Sequence, residues 1–206
     1  HQRVSVELPG FFRPTKEWDI VVVADGNLVA AIELKSQIGP SFGNNFNNRT
    51  EEALGTAMDI WTAYREGAFS TSPAPWLGYL LLLEDCPESR RPVSVREPHF
   101  SVFSEFVDAS YSKRYELFCR KLVRERQYNS VCFITADRKD ADLERNYAEP
   151  AKDLSSDQFL ADFHIINETH FHYTPFFSLF LKHSGYDGFA TMKPGWTVLV
   201  ATISLF

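Results

Sequence analysis

The sequence predicts an α/β fold, a β-sheet covered by helices, and three observations carry that prediction. Short β-branched or apolar runs recur at Trp18–Val23, Leu28–Leu34, Leu77–Leu83 and Val131–Ala136. Between the later runs, apolar residues return at three- and four-residue steps, the period of a helix with one buried face. Leu77–Leu83 (LGYLLLL) is apolar on both faces, as in a strand with a layer on either side.

Taken in order, Val4-Ser5-Val6 is extended, and the chain starts without a methionine, so upstream residues are expected to be missing. Trp18–Val23 and Leu28–Leu34 flank Asp25-Gly26, a turn signal, and together read as a β-hairpin. Ser36–Arg49 (SQIGPSFGNNFNNR) has two glycines, a proline and four asparagines with no apolar period, and reads as a loop. Thr50 is the expected N-cap of a helix whose Leu54, Ala57, Ile60, Trp61 and Tyr64 face the core up to Gly67. After a Pro-rich connection, Pro87–Pro98, a helix is expected over Phe103–Arg126. Asp137–Lys152 is charged and reads as a surface excursion. Ser155–Phe163 and Pro175–His183 read as helices, and Trp196–Ser204 as a final strand. One domain over 1–206 is expected, with a core over 1–136 and a helical and strand elaboration over 137–206.

Composition narrows the function classes. With 206 residues and 44% hydrophobic content the chain can bury a substantial core. A net charge of -6 argues against a general nucleic-acid coater, though not against one local basic cleft. Lys113, Arg114, Arg120, Lys121, Arg124 and Arg126 supply such a cluster. Three cysteines without CxxC spacing suggest neither a disulfide framework nor a zinc knuckle, so a reducing interior is expected. No run approaches the roughly 18 apolar residues of a membrane span.

The chemistry lies in the first hairpin. Glu33 and Lys35 are ionisable groups in otherwise apolar sequence, and burying charge is costly unless it is paired or binds metal. Two residues apart on a strand, they share a face. A plain two-residue turn at Asp25-Gly26 would place Asp19 opposite Ile32 and send Glu33 to the other face. A three-residue loop, Ala24-Asp25-Gly26, sets Asp19 opposite Ala31 and diagonal to Glu33, and a bulge serves equally well. The hairpin is therefore expected not to be a plain two-residue turn. Two carboxylates with a lysine suit phosphodiester hydrolysis, in which magnesium polarises the phosphate and activates water while the lysine steadies negative charge. The spacing alone is also that of an ordinary partly buried salt bridge.

Over a longer stretch, WDIVVV, AIELKSQ and GPSFGNNFNNRTEEALGTAMDIW resemble the type II restriction endonucleases of the XhoI family, within the PD-(D/E)xK nuclease superfamily. The resemblance implies a restriction-endonuclease-like core: a mixed β-sheet flanked by helices. It also implies Mg2+-dependent cleavage of double-stranded DNA at the palindrome CTCGAG by a homodimer in the bacterial cytoplasm. By position it makes Asp19, Glu33 and Lys35 catalytic, with Asp19, Glu33 and the backbone carbonyl of Leu34 as metal ligands. Trp18 stands where the superfamily's name has proline.

Base reading requires Asn, Gln, Arg or Lys at the groove. Gln37, Ser41, Asn44, Asn45, Asn47, Asn48 and Arg49, leaving the catalytic strand directly, are the expected recognition segment, with Lys113 and Arg114 on phosphates. The alternatives are asparagines that satisfy turns and a basic helix face that is merely solvated. At the level of function, the alternatives are a junction or repair nuclease of the same superfamily and a catalytically inactive DNA-binding module.

Overall fold

The structure, a computed structural model, describes residues 6–70, 72–138, 147–170 and 196–200. Strands β1 (Glu7–Pro9) and β2 (Thr15–Glu17) make a small antiparallel hairpin. The main sheet is built from β3 (Ile20–Ala24), β4 (Asn27–Gln37), β5 (Trp76–Glu84), β6 (Ser130–Ala136), β7 (Tyr147–Ala148) and β8 (Trp196–Val200). Its order is β7-β6-β5-β4-β3-β8. The central β4, β5 and β6 run parallel and the remaining pairings are antiparallel, so the sheet is mixed, as expected.

Helices α1 (Phe42–Arg65) and α3 (Tyr111–Arg124) cover one face, α4 (Ser156–His170) the other, and a short α2 (Pro87–Arg90) follows β5. Tyr79, Leu81, Val131 and Phe133 pack under α1 and α3 with Ala57, Ile60, Tyr115 and Leu122. On the opposite face Trp76 meets the rings of Phe159 and Phe163 at 5.2 and 5.1 Å. Gly78 makes room for that cluster, since a Cβ there would lie 2.5 Å from the Trp76 ring and 2.8 Å from Phe159. The three cysteines are free. No helix among the described residues is long and apolar enough to cross a membrane.

Two expected boundaries are corrected. The loop expected over Ser36–Arg49 is only four residues long, because β4 runs to Gln37 and α1 starts at Phe42. The asparagines mask a helical spacing, in which Phe42, Phe46, Ala53, Ala57 and Ile60 all turn toward the core. Thr50 is therefore not a cap; its hydroxyl donates to the Phe46 carbonyl one turn back. The helix expected from Phe103 starts at Tyr111 instead. Asp108 sits at φ 53° and Ser110 caps the new start, its hydroxyl accepting from the Lys113 N–H. The helix expected at Pro175–His183, most of the stretch Asp137–Lys152 up to 146, and the end of the strand expected at Trp196–Ser204 lie outside the described residues.

The β3–β4 hairpin departs from a plain turn, but by the second of the two routes. Ala24 pairs with Asn27, so the turn is the two residues Asp25 and Gly26, at φ 49° and 79°, as a type I′ turn requires. The three-residue loop does not form. Beyond the turn Val23 pairs with Leu28 and Val22 with Ala30, leaving Val29 as the extra residue of a bulge. Leu28 and Ala31 consequently face α1 and α3, while Val29 and Ala30 both face the α4 layer. The alternation that follows puts Glu33, Lys35 and Gln37 on the face of Ala31.

Because the turn needs positive φ at Gly26, Gly26→Val is expected to destabilise the protein by about 1–3 kcal/mol, read as a lower Tm, while Gly26→Asn stays close to the parent. Equal melting of both variants would rule this turn geometry out.

Candidate active site

Asp19 sits immediately before β3, one step beyond the Ile20–Ile32 pair, which brings it level with Glu33 rather than diagonal to it. Strand β3 has not begun there, so the Leu34 N–H is not part of the antiparallel ladder. It donates to Asp19 Oδ2 at 2.7 Å. Glu33, only 3% exposed, is held from two sides. Lys35 Nζ meets its Oε1 from two residues along the same strand, and Lys16 Nζ meets its Oε2 at 2.6 Å from β2. The sequence-expected residues Asp19, Glu33 and Lys35 are thus brought together.

Lys16 is the member that sequence reasoning missed. No local spacing marks it, because β2 belongs to a separate hairpin whose seating on the sheet decides where the lysine reaches. That seating is visible in the structure. In the 10–13 loop the N–H groups of Phe11 and Phe12 donate to Asp59 Oδ1 at 2.7 and 2.8 Å, and Arg13 Nε donates to Asp59 Oδ2 at 2.6 Å. Gly10 permits the approach, since a Cβ there would lie 2.4 Å from Asp59 Oδ2. The hairpin that carries Lys16 is thereby latched to α1.

Electrostatics follow from burial. Burial pushes the Asp19 carboxyl up, the Leu34 N–H pulls it down, the charge of Glu33 raises it again, and the net is above the ordinary carboxylate value. Burial also pushes at the Asp59 carboxyl, but the Phe12 N–H, Arg13 and the Phe11 N–H outweigh it and hold it below its ordinary value. Among the described residues no three His, Cys, Asp or Glu side chains cluster as metal ligands. The donor set at Asp19 and Glu33 is therefore two carboxylates with backbone. That set fits a small hard dication, which commonly takes one or two carboxylates and completes its shell with water and phosphate oxygens.

The expected DNA-contacting residues fall into three groups. Gln37 ends β4 buried, its Nε2 donating to the Ile38 carbonyl and its Oε1 accepting from the Tyr115 hydroxyl at 3.2 Å. Ser41, Asn44, Asn45, Asn47, Asn48 and Arg49 form the N-cap and first turns of α1; Ser41, Asn44, Asn47 and Asn48 are exposed, and Arg49 pairs with Glu52 at 2.5 Å. On α3, Arg114 donates to the carbonyls of Ala109 and Val93, bracing the connection before the helix. Lys113 pairs with Glu116, Lys121 with Glu125, and Arg120 with Glu116 and Asp153. Half of this basic cluster, Lys113, Arg120 and Lys121, is neutralised within the protein.

The family model for restriction endonuclease XhoI matches residues 1–149. The chain is 61% identical over 158 residues to the type II restriction enzyme BstVI of Geobacillus stearothermophilus, covering 74% of this chain and 70% of that protein. It is 56% identical over 121 residues to the type II restriction enzyme XhoI of Xanthomonas vasicola, covering 59% of this chain and 49% of the relative. The type II restriction enzyme AbrI of Azospirillum brasilense is 64% identical over 101 residues, 48% of this chain and 46% of AbrI. The chain thus spans about half the length of the latter two. No solved structure matches it.

The depressed Asp59 carboxyl makes the latch pH-dependent. A carboxyl with a lowered folded pKa contributes stability that is complete above its unfolded value, near 4, and is lost as pH falls through the folded value. Asp59→Asn is therefore expected to cost about 2 kcal/mol at neutral pH, and the gap in Tm from the parent to close in acid. A gap that persists unchanged at low pH would contradict the charged latch. Asp19 has the opposite sign: its raised carboxyl is a burden once ionised, so in metal-free buffer Asp19→Asn is expected to melt a few degrees higher than the parent.

Proposed function

This chain belongs to the restriction endonuclease XhoI family, and on that premise we propose that it is a magnesium-dependent nuclease cutting double-stranded DNA at CTCGAG. The observation that supports this reading best is the convergence of Asp19, Glu33 and Lys35 on one bulged hairpin. Asp19 and Glu33 would hold the ion, joined by the Leu34 carbonyl. A strand residue directs its N–H and C=O to the same side, and the Leu34 N–H already faces Asp19. Bound there, magnesium supplies a polarised phosphate and an acidified water. Lys35, fixed beside Glu33, orients that water and steadies the negative charge that develops on the phosphate. The Leu34 N–H keeps the Asp19 carboxylate aimed along β4.

For sequence reading, the start of α1 replaces the loop. An α-helix fits the major groove, and Asn44, Asn47 and Asn48 are exposed on its first turns as adenine-reading amides, with Ser41 and Asn45 beside them. The helix N-terminus favours phosphate. Gln37, with its side chain engaged internally, sets the strand end from which that helix departs; Arg114 lines a hollow beside the helix start with Phe46 and Asn47, and Lys113 precedes Arg114 on α3. A homodimer places two such sites about a twofold axis matched to the palindrome, each cutting one strand. Residues 1–206 form one nuclease domain on this reading.

Incubated with a sequenced plasmid and magnesium, the protein is expected to yield discrete fragments ending within CTCGAG, and a chelator to stop the reaction. Cleavage confined to branched substrates, or intact DNA, would sink the proposal. Lys35→Ala is expected to slow cleavage by on the order of 10²–10³. Full activity in Glu33→Ala would show that the wrong carboxylate has been assigned.

A further inference from the structure

We infer that Lys16 is a further active-site residue, an exchangeable counter-ion that occupies one oxygen of Glu33 until a divalent cation displaces it. This rests on the reading of Asp19 and Glu33 as a cation site. Both oxygens of Glu33 are taken, Oε1 by Lys35 and Oε2 by Lys16 at 2.6 Å, and the side chain is buried. A buried carboxylate in that position is stable because it is neutralised. The four charges of Asp19, Glu33, Lys16 and Lys35 also cancel. An incoming dication must therefore compete for a carboxylate already satisfied and enter a site already balanced.

The two lysines are not equivalent in that competition. Lys35 leaves the same strand two residues beyond Glu33 and shares its face, so it remains beside the carboxylate whatever else binds. Lys16 arrives from a different hairpin and has other partners waiting. Its ammonium also donates to the Glu17 carbonyl at 2.7 Å and stands 4.9 Å from the centre of the Trp18 ring. Released from Glu33, it keeps a hydrogen bond and an aromatic face, so its charge is not stranded. The Asp59 latch holds the hairpin, and with it the lysine, at the site. Lys16 thus weakens metal binding in the free protein by the fraction of molecules in which it covers Glu33.

Calorimetric titration of the protein with calcium alone, without DNA, tests this directly. Lys16→Met is expected to bind calcium about tenfold more tightly than the parent, because the covered fraction is abolished. Lys16→Arg, which restores the counter-ion, is expected to return the affinity to within about twofold. Glu33→Ala is expected to weaken binding in every background. Calcium affinity of Lys16→Met equal to or below that of the parent, with Tm and near-UV circular dichroism showing an intact fold, overturns the role of Lys16 while leaving the cation site standing. Absence of calcium binding in the parent, Lys16→Met and Glu33→Ala alike overturns the cation site and the role of Lys16 together. Should Lys16→Met not fold, Lys16→Gln, which keeps a donor for the Glu17 carbonyl, carries the same expectation and the same refutation.

Discussion

A carboxylate buried on the inner face of a central strand must be neutralised, and much of this molecule is arranged around meeting that need for Glu33. Leaving one charge unpaired in such a place is far costlier than any single apolar contact nearby is favourable. One lysine comes with the strand. The other comes from a hairpin that precedes the sheet, and that hairpin is held by a second buried carboxylate, Asp59, through two backbone N–H groups and an arginine. Seating on α1 and charge balance at Glu33 are therefore one connected arrangement.

Geometry at the turn is the other half. Asp25 and Gly26 both adopt positive φ, which starts the hairpin with a tight pair, and Val29 then adds one residue to β4. Without that residue Glu33 and Lys35 would point into the α4 layer, away from Asp19 and among aromatic side chains that offer charge no partner. The bulge thus converts a spacing into a site. Beyond Lys35 the strand is anchored again by the hydrogen bond from Tyr115 to Gln37, which ties its end to α3 and sets the start of α1.

An acidic chain that handles a polyanion needs its positive charge to be local. The ion pairs along α3 show where much of its formal basicity is consumed, since Lys113 and Arg120 have an acidic partner on their own helix and Lys121 has one at its C-cap. At the site itself two lysines and two carboxylates meet, and there too the charge is balanced. Asp19, raised by its burial and by its neighbour, is the group least at ease there.

Several features were legible from residue order alone: the apolar strands, a turn at Asp25-Gly26, the shared face of Glu33 and Lys35, and the requirement that the hairpin be something other than a plain turn. Each depends on local periodicity or on conformational limits that one residue imposes on itself. The choice of a bulge over a longer loop was not, because both satisfy the same alternation and only packing on two faces distinguishes them. Nor was the helix hidden in the asparagine-rich segment, whose apolar spacing of Phe42, Phe46 and Ala53 gains meaning only once α3 and the sheet stand opposite. Lys16 was beyond reach for the same reason. A contact between residues 16 and 33 is made by the seating of one hairpin on another element, and tertiary structure alone supplies that.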